Sequence, residues 1–370
     1  MTWSWDEIDN DWLEGAAIAT APDDAVAAFE RAERFFGRSW IEDGRTQQTA
    51  AGPVLIRGSS PTLNVIVLGE HLVVLEAAVG CRSVVDKLKA RDSSAYAELT
   101  AMWLTHTDGT DLECEPEVAV GARRRKPDFR LKDPEGLYTY VEVTQPNRAA
   151  AQRSLLITMQ EVGALTQTMT GTYAAEFFLL RHPEPDELVI LKELLEQAVE
   201  DSQPKEVPLA DELGVLYVHA NPAVAVIEDH GYPTVPRLGQ ASVAVENGQT
   251  VRQIVVRVPF YDHRAHQFLA TEASQLPIDA PGLIVMHMSG VPSGMKEWIP
   301  LLRAEFELGL YNHVSAVCLF HGGLYPSPSG ETWQAKTKLV MNDAAVHSLP
   351  APLENRLRGF DSQEDSSPDA

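Results

Sequence analysis

The segment Tyr173–Leu180 reads Tyr-Ala-Ala-Glu-Phe-Phe-Leu-Leu, a strand-length run that is almost continuously apolar. Such a run has no face to give to water, so it must be covered on both sides, and helices are the usual cover. Gly282–Ser289 has the same character, and Val314–Phe320 is the last clear strand. Between these runs the apolar residues recur at helical spacing over Ala149–Met169, Pro185–Val199, about 262–275 and Gly294–Leu308. The alternation predicts an α/β fold, a mixed β-sheet flanked by helices.

The remaining elements follow the same logic. Pro22–Phe36 predicts a helix after a Pro-Asp-Asp start, and Ser83–Thr105 a helix broken near 91–94, its second part carrying Glu98. Val54–Ile56, Leu63–Leu68 and Leu72–Leu75 read as short strands, as do Leu112–Val120, Asp128–Leu131, Leu137–Thr144 and Gly214–His219. Asn247-Gly248 marks a hairpin between Ala241–Glu246 and Val251–Val258. The stretch Glu354–Ala370 is acidic, polar and without period, which predicts disorder.

With 370 residues the chain has room for several substructures, read as an N-terminal α+β extension (1–90), a core (91–182), a C-terminal α/β extension (183–350) and a tail (351–370).

Lys plus Arg number 30 against 53 Asp plus Glu, a formal charge of −23. A body so acidic repels nucleic acid and anionic membrane, so any polyanion it handles must meet a local basic patch. Cys81, Cys114 and Cys318 lie far apart and match no metal-ligand spacing, and no segment reads as a signal peptide or spanning helix. The expectation is a cytoplasmic protein with reduced thiols and no membrane partner. No Walker loop, dinucleotide-binding glycine fingerprint or serine-hydrolase elbow is present.

One arrangement looks like a site. Pro127-Asp128 opens a strand, Glu142-Val143-Thr144 closes the next, and Glu98 sits on the helix before both. Carboxylates converging from adjacent strands form a hard oxygen pocket suited to Mg²⁺ or Mn²⁺, with Asp128 and Glu142 as ligands. Arg123, Arg124, Arg125 and Lys126 run straight into Asp128, and Arg130 follows. This is the densest basic cluster in the chain, and Arg grips phosphate oxygens through a planar fork. Asp262, His263 and His266 offer a weaker grouping, better explained as a helix cap and surface histidines than as a zinc site.

The runs Cys114-Glu115-Pro116-Glu117-Val118, Arg125-Lys126-Pro127-Asp128-Phe129-Arg130-Leu131 and Tyr140-Val141-Glu142-Val143-Thr144 together resemble the core of the PD-(D/E)XK, or restriction-endonuclease-like, nuclease superfamily. The helix-strand-strand-strand-helix-strand order over 94–180 is the order that superfamily uses. The resemblance implies a Mg²⁺-dependent nucleic-acid phosphodiesterase, an endonuclease acting on DNA, with Asp128 and Glu142 on the metal and Glu98 supporting them. Related nucleases often pair, which makes a homodimer an expectation too.

The resemblance also implies a lysine two residues after Glu142, where this chain has Thr144. A hydroxyl cannot replace an ammonium electrostatically. Either the cationic role has moved, with Lys126, Arg148 and Arg153 as candidates and Gln145 or Gln160 holding water, or the site is degenerate and the protein binds nucleic acid or a partner protein without cutting.

Overall fold

Among the described residues the first elements are helices. The computed structural model describes residues 19–42, 60–120, 123–146, 150–200, 205–209, 213–222, 237–259, 264–288, 294–328 and 330–361, and its contacts divide it into two units, Met1–Pro146 with His263–Ala370, and Asn147–Asp262. Helix α1 (Pro22–Phe36) has proline in its first turn and Asp23 and Asp24 beside the positive end of its dipole. It is followed by α2 (Arg38–Glu42), α3 (Ser60–His71), a 3₁₀ turn (Leu72–Leu75), α4 (Arg82–Lys89) and α5 (Ser93–Thr105). Asp92 caps α5, its carboxylate accepting from the Ser94 amide at 2.9 Å, which accounts for the break expected between α4 and α5.

The strands expected at 63–68 and 72–75 are helical instead. Leu63, Val65, Ile66, Val67 and Leu68 are buried all round the helix, so the run carries no 3.6-residue signature to separate it from a buried strand. Gly69 permits the crossing with α1, since a Cβ there would fall 2.1 Å from the Ala28 carbonyl oxygen. The strand expected at 54–56 lies outside the described residues.

Strand β1 (Asp111–Cys114) stops at Glu115, whose φ of 48° and following proline break the single strand expected over 112–120. The remainder forms β2 (Val118–Val120), paired antiparallel with β3 (Arg123–Arg125) in a separate ribbon. Then β4 (Phe129–Lys132) and β5 (Tyr138–Thr144) complete an antiparallel meander with β1.

Beyond Pro146 the second unit takes over. It contains α6 (Ala150–Gly163), α7 (Leu165–Thr168), β6 (Tyr173–Leu179), α8 (Pro185–Glu200), β7 (Lys205–Pro208), β8 (Gly214–His219), β9 (Arg237–Glu246) and β10 (Gln249–Pro259). Its sheet has the order β7-β8-β6-β10-β9, and Asn247 and Gly248, both at positive φ, make the expected hairpin turn. All seven residues of β6 are buried. Strand β6 lies between β8 and β10, and is not the strand that pairs with β5.

The first unit resumes with α9 (Ala265–Ala273), β11 (Gly282–His287), α10 (Gly294–Glu307), β12 (Val314–Ser327), β13 (Gly330–Met341) and α11 (Ala351–Gly359). Strand β11 pairs parallel with β5, giving a mixed six-stranded sheet of order β1-β4-β5-β11-β12-β13. Val141, Leu283, Val285 and Cys318 face the N-terminal helices and α11, while Tyr140, Ile284, Met286 and Leu319 face α9 and α10. The sheet is therefore covered on both faces, as its apolar strands require.

Two further expectations need correcting. Leu353 and Leu357, four residues apart, bury one face of α11, so the disorder expected from 354 onward does not begin before residue 361; the rest of the tail lies outside the described residues. Cys81 and Cys114 form a disulfide, against the reduced thiols expected, and Cys318 is free and buried. Among the described residues no helix is long and apolar enough to cross a membrane.

Candidate functional site

The end of β5 is where the chemistry gathers. Strand β4 starts at Phe129, opposite Val141, so the Val143 amide lies two residues past the last ladder pair. The Asp128 carboxylate takes that amide, Oδ2 accepting from Val143 N at 2.7 Å. The Asp128 carbonyl accepts from the Glu115 amide at 2.8 Å, which ties the residue to the end of β1 as well. Asp128 is thus fixed from both neighbouring strands.

Glu142 alternates with Tyr140 and Thr144 along β5 and is only 3% exposed. It shares a hydrogen bond with Asp128, while its Oε1 is buried with no hydrogen-bond partner. Glu98, on α5 and 6% exposed, comes to the same place. The structure therefore brings together the three carboxylates singled out from sequence.

Crowding these groups out of water holds protons on them. Burial first, then the charge of Asp128, pushes Glu142 up to about 10 from an ordinary 4.5. The same two causes raise Glu98 to about 7, against the opposing pull of Lys87. Burial raises Asp128 too, partly offset by the Val143 amide and by the hydrogen bond from Glu142. Near neutral pH the Asp128–Glu142 pair holds a proton, with Glu142 donating to Asp128.

Three members of the cluster were not singled out from sequence. Lys87 on α4 places Nζ 3.2 and 3.4 Å from the two Glu98 oxygens. Burial works against its charge, but Glu98, Asp128 and Glu115 outweigh burial and raise its pKa. Glu115 adds its own negative charge to Asp128 and Glu98. On α9, Glu272 accepts a hydrogen bond from Thr144 and is raised by burial. The resemblance placed Glu115 within a matching run, but no spacing pattern pointed to Lys87 or Glu272.

The other expected residues are more dispersed. Arg123 and Arg124 stand exposed on β3, with Arg124 3.3 Å and Lys126 3.7 Å from Glu117. Arg130 donates to Glu113 at 2.8 Å through Nε and lies 4.2 Å over the Tyr138 ring, so its charge is already engaged. Gln145 follows Thr144 and is half-buried, with partners of its own. Arg148 lies outside the described residues, and Arg153 and Gln160 belong to the second unit, on α6. Asp262 and His263 also lie outside them, and His266 is exposed.

Among the described residues no group of three or more His, Cys, Asp or Glu forms a ready metal cage. Mg²⁺ does not need one, since it keeps several waters and binds through one or two carboxylates plus substrate phosphate. The donor set fits that mode: hard oxygens, an orphaned buried Oε1 on Glu142, and carboxylates whose mutual repulsion a cation would relieve. No family model matches the chain, and no curated protein or solved structure matches it either.

Proposed function

We propose that this protein is a divalent-metal-dependent phosphodiesterase acting on nucleic acid, an endonuclease with DNA as its substrate. The observation that carries the reading is the meeting of Glu98, Asp128 and Glu142 with the Lys87 ammonium at the ends of β4 and β5. A divalent cation held by Asp128 and Glu142 would supply Lewis acidity toward a phosphate oxygen and toward water.

The chain's own residues do the rest. The Val143 and Glu115 backbone contacts fix Asp128 in one orientation, so no side-chain reorganisation is needed. Lys87 supplies the positive charge that Thr144 lacks and holds Glu98 in place while stabilising negative charge building at phosphate. Thr144 is turned to Glu272 instead. Of the β3 arginines, half-buried Arg125 stands close to the carboxylates, because it precedes Asp128 by three residues and the chain can separate them by no more than about 11 Å; Arg123 and Arg124, exposed, precede it. They serve as sequence-independent phosphate contacts.

The likeness to the restriction-endonuclease-like core supports the reading in a modified form. The order α5, β1, β4, β5, α9, β11 keeps helix, three-stranded antiparallel meander, helix and parallel strand, with Asn147–Asp262 inserted after the third strand. Lys87 also favours cutting over binding alone. The test is nicking of supercoiled plasmid with Mg²⁺ or Mn²⁺, with RNA as a competing substrate. Wild type should nick DNA, Asp128→Asn and Glu142→Gln should not, and equal activity in all three would remove these carboxylates from the mechanism.

A further inference from the structure

Lys87 reaches the acidic cluster from an element poorly equipped to hold its own position. Helix α4 has eight residues and buries only Val84 and Leu88. A helix this short is marginal in water; beyond these two anchors Val85 packs on the same core and the Trp40 indole Nε1 donates to Lys89 O at 2.9 Å, which hold its middle and C-terminal end rather than its start. What fixes its start is Cys81, the residue immediately before α4, joined to Cys114, the last residue of β1, with the Cα atoms 5.0 Å apart.

The surroundings of this bond reach straight to the site. Val79 bridges to β1, its N donating to Leu112 O at 3.0 Å and its O accepting from Cys114 N at 2.8 Å. Gly80 makes the close approach at φ 80°, where a Cβ would stand 3.0 Å from the Cys114 carbonyl oxygen. The residue after Cys114 is Glu115, whose amide holds the Asp128 carbonyl at 2.8 Å. The loop closed by the bond, 33 residues in separation, contains both Lys87 and Glu98.

We propose that the Cys81–Cys114 disulfide clamps α4 to β1 so that the Lys87 ammonium is held on Glu98, making the two cysteines positioning residues for the site. Only its catalytic consequence rests on the phosphodiesterase reading. Both sulfurs are buried, so the clamp is opened by a dithiol only as the segment opens locally. In that step the S–S bond breaks, each cysteine gains one electron and one proton, and the dithiol closes to its own disulfide. With α4 released, Lys87 leaves Glu98 for solvent.

The test reads Lys87 directly, with no need for turnover. Lys89, exposed on the same helix, is the internal reference. Full-length protein purified without reductant is alkylated while unfolded to count thiols, and in parallel the native protein is acetylated with an activated ester and the two lysines are compared by mass spectrometry. The clamp predicts one free thiol, Cys318, and acetylation of Lys87 about fivefold or more slower than Lys89, because its ammonium is held by carboxylates.

Reduction of wild type with dithiothreitol, or the double variant Cys81→Ser with Cys114→Ser, should raise the Lys87-to-Lys89 ratio about threefold or more and lower plasmid nicking about tenfold or more. Reduced wild type keeps the test valid if the double variant fails to fold. Three free thiols in the unreduced protein, or an unchanged lysine ratio after reduction, overturns the clamp. Absence of nicking in every state would sink the phosphodiesterase reading and leave the clamp to be judged on thiols and lysine labelling.

Discussion

Replacing Glu142 by glutamine should make the metal-free protein more stable, and the gain should depend on pH. Glutamine keeps the shape of the side chain and donates an N–H to Asp128 where the protonated Glu142 donates its O–H. The folded chain holds the Glu142 proton up to about pH 10, whereas an unfolded chain releases it near 4.5. Between those values the native state binds more protons than the unfolded one, so stability falls as pH rises.

The slope is about 1.4 kcal/mol per pH unit, which by pH 7 accumulates to about 3 kcal/mol charged to this one carboxylate. Asp128 shares the proton and retains part of that cost, so the glutamine variant should gain about 1–3 kcal/mol at pH 7 and only about a quarter of that at pH 5. Urea unfolding followed by tryptophan fluorescence reads this cleanly, because Trp3, Trp5, Trp12, Trp40, Trp103, Trp298 and Trp333 all lie outside the Asn147–Asp262 unit. Saturating Mn²⁺ should remove most or all of that advantage, stabilising wild type by about 2.7 kcal/mol at a hundred times its Kd while leaving the variant unchanged. A variant less stable than wild type at pH 7, or a gain equally large at pH 5, refutes the reasoning.

Other outcomes follow from the same geometry. Lys87→Met should lower plasmid nicking by about 10²–10³ and move the acid limb of its pH profile upward, since Glu98 then loses the cation that opposes its rise to about 7. Reversing Arg123, Arg124 and Arg125 to glutamate should weaken DNA binding and flatten its salt dependence by roughly 0.9 in log–log slope for each phosphate no longer neutralised, measured by fluorescence anisotropy. Removing the disulfide should cost about 3–4 kcal/mol in the chain-entropy picture for a loop of 33 residues, read by urea unfolding under matched conditions. Gly69→Ala should cost about 3 kcal/mol or more, because its Cβ would meet Ala28 backbone 2.1 Å away and neither helix can yield without moving the other.

What sequence reading could see was local. The Asn247-Gly248 hairpin, the break before α5 and the Asp128–Glu142 pairing all rest on residues a few positions apart or on neighbouring strands, where turn chemistry and strand period speak directly. The partner of β5 was illegible for a different reason. Both β6 and β11 are almost wholly apolar, and burial alone does not say which sheet a strand joins. Helix α3 has apolar residues on every side, so its period vanished. Lys87 reaches the site through a fold that sets Glu98 and Glu115 against it from separate elements, and its pairing with Glu98 spans eleven positions with a helix break between them. The Cys81–Cys114 bond likewise joins residues brought together by tertiary contacts, among them the short Val79 bridge to β1, that no local pattern announces.

The most direct measurement of the central claim is calorimetric titration of Mn²⁺ into the wild-type protein at pH 7, repeated in buffers of different ionisation enthalpy. If Asp128 and Glu142 take one divalent cation between them, the proton they hold must leave, and about one proton should be released per ion bound, with both binding and release lost in Glu142→Gln. Mn²⁺ that does not bind, or that binds without releasing a proton and equally well to the glutamine variant, contradicts the account.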